Sequence, residues 1–316
     1  MQNRNKSRNG NKFENKYQTL LCLSRLGWHK CNHPRRKGMD IIMAIIQCNF
    51  SSPSLMRIVP IQVILPTDNQ FAEEDYGYGR KLFKTLFLLH GVFGNCTDWV
   101  NATRIQQWAQ ERNLAVVMPS GENKFYVDQK VPGERYGSFI RKDLVAFARK
   151  TFPLSDKRED TFIGGLSMGG YGAIVNALQA PQTFSAVCAL SSALVIEKAM
   201  KASEDTDFII SSKGFYELVF GDLDKLVGSD KDYYALAESL AHSGEPLPKI
   251  YMASGTEDEL ITVNHQFRDK LNSLGYDVTW EEGTGGHDWV FWDTYIEKAL
   301  DWLPLKKITR MPPPRL

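Results

Sequence analysis

The sequence predicts an α/β protein: a mostly parallel sheet of about eight strands with helices on both faces and a small helical cap. Three observations carry this. Short continuous apolar runs, the kind buried on both faces of a parallel sheet, recur along the chain. They alternate with amphipathic segments of helical period. One of them, "DTFIGGLS", gives way at Ser167 to a Gly-rich helix start.

The elements read in order as follows. "IIMAIIQCNF" and "MRIVPIQVILP" alternate apolar and polar residues across a Ser/Pro loop and predict an opening antiparallel pair. A Gly-rich, charged loop leads to the buried strand "TLFLLHG". Then "NATRIQQWAQERN" reads as helix, "LAVVMP" as strand, "YGSFIRKDLVAFARKTF" as helix and "DTFIGGLS" as strand. The series continues through "GGYGAIVNALQAP" (helix), "FSAVCALSS" and "KIYMASG" (strands), "NHQFRDKLNSLG" (helix), "VTWEE" (strand) and "HDWVFWDTYIEKALDWL" (helix). Residues 193–246 break the rhythm with mixed polar and aromatic residues and no strand pattern. They are too long for a plain loop and predict the cap, inserted in a domain spanning 43–305.

With 316 residues the chain can bury a large core, and its apolar and charged fractions are those of a soluble globular protein. Apolar stretches are interrupted well short of the roughly 18 residues of a membrane span. Residues 1–42 carry ten Lys or Arg against Glu14 and Asp40; the remainder then holds 28 basic against 35 acidic residues, about −7. An acidic body disfavours nucleic acid as a partner, and no membrane partner is expected. The basic leader lacks periodicity and reads as disordered, as does the Pro-rich tail 306–316. It lacks a secretory h-region, and the expected translation start is Met43, which would leave the leader outside the native protein. Cys22, Cys31, Cys48, Cys96 and Cys188 form no metal-ligand pattern and read as reduced thiols in a cytoplasmic protein. The sequons at Asn49, Asn95 and Asn101 are not expected to be glycosylated.

Ser167 lies in Gly165-Leu166-Ser167-Met168-Gly169 at a strand-to-helix junction, the context a G-x-S-x-G nucleophile elbow requires. No Lys follows as in a phosphate loop, and no G-x-G-x-x-G opens the helix. A serine nucleophile needs a base, itself oriented by an acid, and in this topology both follow it in the chain. Of six histidines, His29 and His33 lie in the leader, His90 precedes the serine, His242 falls in the cap and His265 within a helix pattern. His287, in "GTGGHDWV" after a strand, has the right place. The acid is expected in "GTEDELI", where Glu257, Asp258 and Glu259 compete. Asp258 is preferred for its shorter side chain, Glu257 remains open, and Asp288 is expected to cap the last helix. Backbone N–H groups must hold the oxyanion: Met168 after the nucleophile, and Val92 or Phe93 in "LLHGVFGNCTDW", a loop that His90 would anchor.

Together, "LLHGVFGNCTDW", "GLSMGGYGA", "SGTEDELI" and "GGHDW" resemble the esterase D family of α/β-hydrolases, nearest to tributyrin esterase-like carboxylesterases of Gram-positive bacteria. The resemblance covers about residues 43–303. It implies the α/β-hydrolase fold and a serine carboxylesterase for short-chain acyl esters, with Ser167 as nucleophile, Asp258 as acid and His287 as base, and no cofactor or metal. It also implies that Tyr126 in "ENKFYVD" and Trp99 border the substrate site, packing being the alternative for both; Phe93 and Trp289 are expected to line it too. The partner is a small-molecule ester, and a homo-oligomer is compatible with the sequence. The family also holds S-formylglutathione hydrolases, feruloyl and acetyl-xylan esterases and mycolyl-type acyltransferases. Its thiol-ester hydrolases carry "HGLTC" in the oxyanion loop, whereas Cys96 here stands later, which favours an oxygen ester. A non-catalytic ligand-binding homologue is the rival from another class, and an intact serine, acid and histidine set argues against it.

Overall fold

Burial alternates along Ala44–Ser52 (β1), so one face of this edge strand meets the core and the other meets water. The computed structural model describes residues 44–67 and 82–307. The basic leader with Cys22 and Cys31, the Met43 start, the charged loop at 68–81 and all but the first two residues of the tail lie outside them.

β1 pairs antiparallel with Arg57–Leu65 (β2), Ala44 standing opposite Leu65. β2 runs antiparallel to Leu114–Pro119 (β4). From there every pairing is parallel: β4 with Lys84–Leu89 (β3), then Thr161–Leu166 (β5), Ala186–Leu190 (β6), Lys249–Gly255 (β7) and Val278–Gly283 (β8). The order is β1-β2-β4-β3-β5-β6-β7-β8, an eight-stranded, mostly parallel sheet.

Alternate residues of the central strands point to opposite faces and seed two cores. Phe87, Ile163, Val187 and Met252 join the first; Leu86, Phe162, Cys188 and Tyr251 join the second. The second is covered by Asp98–Ala102 (α1), Ile105–Gln110 (α2) and Trp289–Trp302 (α10). On the first lie Tyr136–Ser138 (α3), continued through a π-helical stretch into Val145–Thr151 (α4), Met168–Gln179 (α5) and Ile261–Ser273 (α9). The widened π turn carries Asp143 to the β1–β2 hairpin, where its carboxylate accepts from Ser52 Oγ at 2.6 Å and the Ser54 N–H at 2.8 Å.

Between β6 and β7 stand Ile196–Met200 (α6), Lys213–Phe220 (α7) and Tyr233–Ala241 (α8), without a strand. Their aromatic residues explain the composition of this segment. Tyr171 of α5 meets the rings of Phe220 and Tyr233 edge-on at 5.9 and 6.1 Å, and the Tyr276 hydroxyl donates to Ala237 O at 2.9 Å. The insertion thus packs on α5 and reaches the chain beyond α9. Among the described residues no helix is long and apolar enough to cross a membrane.

Candidate active site

β5 is buried along its whole length, and the chain leaves it at Ser167 with φ 53° and ψ −121° before entering α5 at Met168. A non-glycine residue in this region costs on the order of 1–3 kcal/mol, which the surroundings must offset. They do so with backbone bonds on both sides: the Ser167 N–H donates to Leu190 O at 2.9 Å, and Ser167 O accepts from Tyr171 and Ala193 N–H at 3.1 and 2.9 Å. The flanking glycines make the turn possible. A Cβ on Gly165 would stand 2.5 Å from Gly169 O and 2.8 Å from Leu89 O; one on Gly169 would stand 2.6 Å from His90 O. Strand and helix can approach this closely only without side chains there.

The Ser167 hydroxyl meets His287. Its Oγ lies 2.9 Å from Nε2, and the other ring nitrogen, Nδ1, lies 3.1 Å from Asp258 Oδ2. His287 is on the loop after β8, and Asp258 is on the loop after β7. The Asp258 side chain is fully buried, while 30% of the His287 side chain is exposed. Burial pushes the Asp258 carboxyl pKa up, but hydrogen bonds from His287, Ser191 and the Leu260 N–H outweigh it and hold the group below its ordinary value. The other carboxylates go elsewhere. Glu257 accepts from the Gly285 N–H at 2.9 Å through Oε2, and its own N–H donates to Gly285 O at 3.0 Å, pinning the histidine loop. Asp288 caps α10, accepting from the N–H groups of Val290 and Phe291 at 2.9 and 3.0 Å.

Beside the serine runs the loop after β3. A Cβ on Gly91 would stand 3.4 Å from Ser167 Cβ and 2.8 Å from Leu166 Cδ1, so this loop presses against the elbow. The Phe93 N–H is taken, donating to Asn123 Oδ1 at 2.7 Å. The N–H groups of Val92 and Met168 meet no acceptor among the described residues, and Met168 opens the positive end of the α5 dipole.

His90 anchors the loop. Nδ1–H donates to Gly91 O at 2.6 Å, and Nε2 accepts from the Gly121 N–H at 2.8 Å. Burial lowers its pKa from the ordinary 6.5 and keeps it neutral. Unfolded, the same histidine takes up a proton near pH 6.5, so below that pH the unfolded state binds more protons and stability falls as pH drops toward the lowered folded value. We expect thermal-unfolding midpoints to decline between about pH 7 and 5 with a slope that flattens in His90→Gln. Equal slopes in the two proteins would refute this.

The four residues expected to line the substrate site divide. Tyr126 is wholly buried, its hydroxyl donating to His90 O at 3.0 Å and its ring lying where a Cβ on Gly172 would collide. Trp99 is also buried, its Nε1–H donating to Leu89 O at 3.0 Å. Both brace the loop after β3 from behind and are buried. Trp289, partly exposed, packs edge-on to Trp99 at 5.6 Å and to Trp292 at 5.2 Å, and Phe93 is 66% exposed. Three further residues escaped the sequence reading. Asn123 takes the Phe93 N–H, Ser191 helps to hold the Asp258 carboxyl below its ordinary value, and Trp292 faces the His287 ring at 4.9 Å and 89°. Asn123 lies in the "ENKFYVD" loop, whereas no motif or periodicity marks Ser191 or Trp292.

The chain is similar to known proteins. Residues 52–303 match the family model described as "Putative esterase". An acetyl esterase of Caldicellulosiruptor saccharolyticus is 44% identical over 261 residues, 83% of this chain and 98% of that protein. The substrate-bound fluorophosphonate-binding serine hydrolase F of Staphylococcus aureus superposes with a TM-score of 0.73 at 32% identity, over 83% of this chain and 98% of its own. S-formylglutathione hydrolase (FrmB) from Staphylococcus aureus gives 0.71 at 32%, over 83% and 99%. By the span of the family model and the identity to these relatives, the chain belongs to the esterase D family of α/β-hydrolases and is an esterase.

Proposed function

We propose that the protein is a short-chain carboxylesterase that works through an acyl-enzyme. The carrying observation is the hydrogen-bonded series Asp258–His287–Ser167 set on the elbow. His287 Nε2 takes the Ser167 proton as Oγ attacks the ester carbonyl, and Asp258, ionised and buried, holds the ring and stabilises the imidazolium that forms. The Val92 and Met168 N–H groups receive the oxyanion. Collapse of the tetrahedral intermediate breaks the bond to the alcohol oxygen, which takes the proton from His287. Water, deprotonated by the same histidine, then releases the acid and restores Ser167. These steps call on no cofactor. Three free thiols, Cys48, Cys96 and Cys188, support a cytoplasmic setting.

The 44% relative is named an acetyl esterase, which supports a small acyl group on oxygen. The 32% structural neighbour named an S-formylglutathione hydrolase supports a thioester as the second reading. A substrate series decides between them. On p-nitrophenyl acetate, butyrate and octanoate, we expect kcat/KM to fall by about tenfold or more from acetate to octanoate. S-formylglutathione should be the poorer substrate. Equal turnover of octanoate would overturn the short-chain assignment, and a preference for the thioester would install the second reading.

A further inference from the structure

β6 ends beside the elbow, and the residue that turns out of it, Ser191, is built for more than the turn. It is wholly buried, adopts φ 47° and donates its N–H to Ala253 O at 2.7 Å. Its hydroxyl accepts from the Trp292 indole Nε1–H at 3.1 Å. An indole N–H can only donate, and an ionised carboxylate can only accept. A hydroxyl between them can accept from the tryptophan with one lone pair and give its single proton to Asp258. The direction Trp292 → Ser191 → Asp258 → His287 is therefore set by the chemistry of the groups.

Asp258 needs such a donor. No Lys or Arg pairs with it among the described residues. The Leu260 N–H donates to Oδ1 at 2.8 Å and His287 lies 3.1 Å from Oδ2, and the Ser191 hydroxyl helps to hold the carboxyl below its ordinary value. Trp292 acts at both ends of this series. Its indole nitrogen fixes Ser191, while its ring meets the His287 ring edge-on, so one side chain of α10 restrains the base and, through Ser191, the acid.

We infer that Ser191 and Trp292 are positioning residues for ester hydrolysis, a hydrogen-bonded pair that orients the Asp258 carboxylate and through it His287. This rests on the catalytic reading of Ser167, Asp258 and His287 proposed above. Both side chains are buried, so their loss should lower kcat and leave KM alone.

The test uses the full chain and p-nitrophenyl acetate. Trp292→Phe keeps a ring against His287 and removes only the N–H donor. Ser191→Gly removes the hydroxyl and suits the positive φ. We expect kcat to fall by about tenfold in Trp292→Phe and about thirtyfold in Ser191→Gly, with KM changed by less than about twofold. Because Trp292 acts through Ser191, the double variant should be no slower than Ser191→Gly by more than about twofold. Wild-type kcat in folded variants, a loss expressed in KM, or effects that multiply in the double variant would each overturn the inference. If Ser191→Gly does not fold, Trp292→Phe alone decides by the same kcat and KM criteria. Fluorophosphonate labelling of the wild-type protein separates the two levels. No adduct on Ser167 would sink the catalytic reading itself, whereas normal labelling with unaffected variants would sink only the positioning pair.

Discussion

Ser167→Ala is expected to lower kcat on p-nitrophenyl acetate by about 10⁴- to 10⁶-fold and to abolish fluorophosphonate labelling, while the protein remains folded. Alanine keeps the Cβ and the backbone bonds to Leu190, Tyr171 and Ala193, so the elbow at φ 53° is strained no further than in the native chain. What disappears is the oxygen 2.9 Å from His287 Nε2 and with it the covalent route. Water activated by His287 and held against the Val92 and Met168 N–H groups would account for any residual rate. Near-UV circular dichroism identical to wild type, together with turnover reduced less than about tenfold, would show that Ser167 is not the nucleophile.

The expectation for Ser167 could be read locally because an elbow is a local device. Glycines two before and two after the serine are needed by contacts to Leu89, His90 and each other, all within one strand–turn–helix unit and its neighbour. Strands were legible for a similar reason: a strand buried on both faces is a near-continuous apolar run, as in Thr161–Leu166 after its first residue and in Leu114–Pro119. Long-range partners were not legible. The helix expected over "NATRIQQWAQERN" is split at Thr103 and Arg104, where the Arg104 N–H and Nε donate to Asp293, a residue of α10 nearly two hundred positions away. Trp99 and Tyr126 illustrate the same limit. The family resemblance set them at the border of the substrate site, but only packing could decide that they face inward, bonded to Leu89 O and His90 O. Ser191 offered no periodic or motif signal because its role depends on β6, α10 and the loop after β7 converging.

Choosing the acid among three adjacent carboxylates is the place where geometry adds most, and it carries the second large effect. Asp258→Asn should reduce kcat by about 10³- to 10⁴-fold. The asparagine amide nitrogen meets a donor wherever it faces His287 or the Leu260 N–H, and Ser191 can accept it only by turning its hydroxyl proton away. If His287 responds by taking its proton on Nε2, it can no longer accept the proton of Ser167. Glu257→Gln should leave kcat within about twofold, since a glutamine oxygen still accepts the Gly285 N–H that Glu257 binds at 2.9 Å. The Asp258 pKa gives this a pH counterpart. A carboxyl held below its ordinary value by its donors protonates at a lower pH than a free aspartate. The stability it contributes is therefore complete above pH 3.8 and is lost only as pH drops through its own lower value. A large effect in Glu257→Gln with a mild one in Asp258→Asn would transfer the role to Glu257, and the Gly285 contact would have to be re-read as that of a mobile acid.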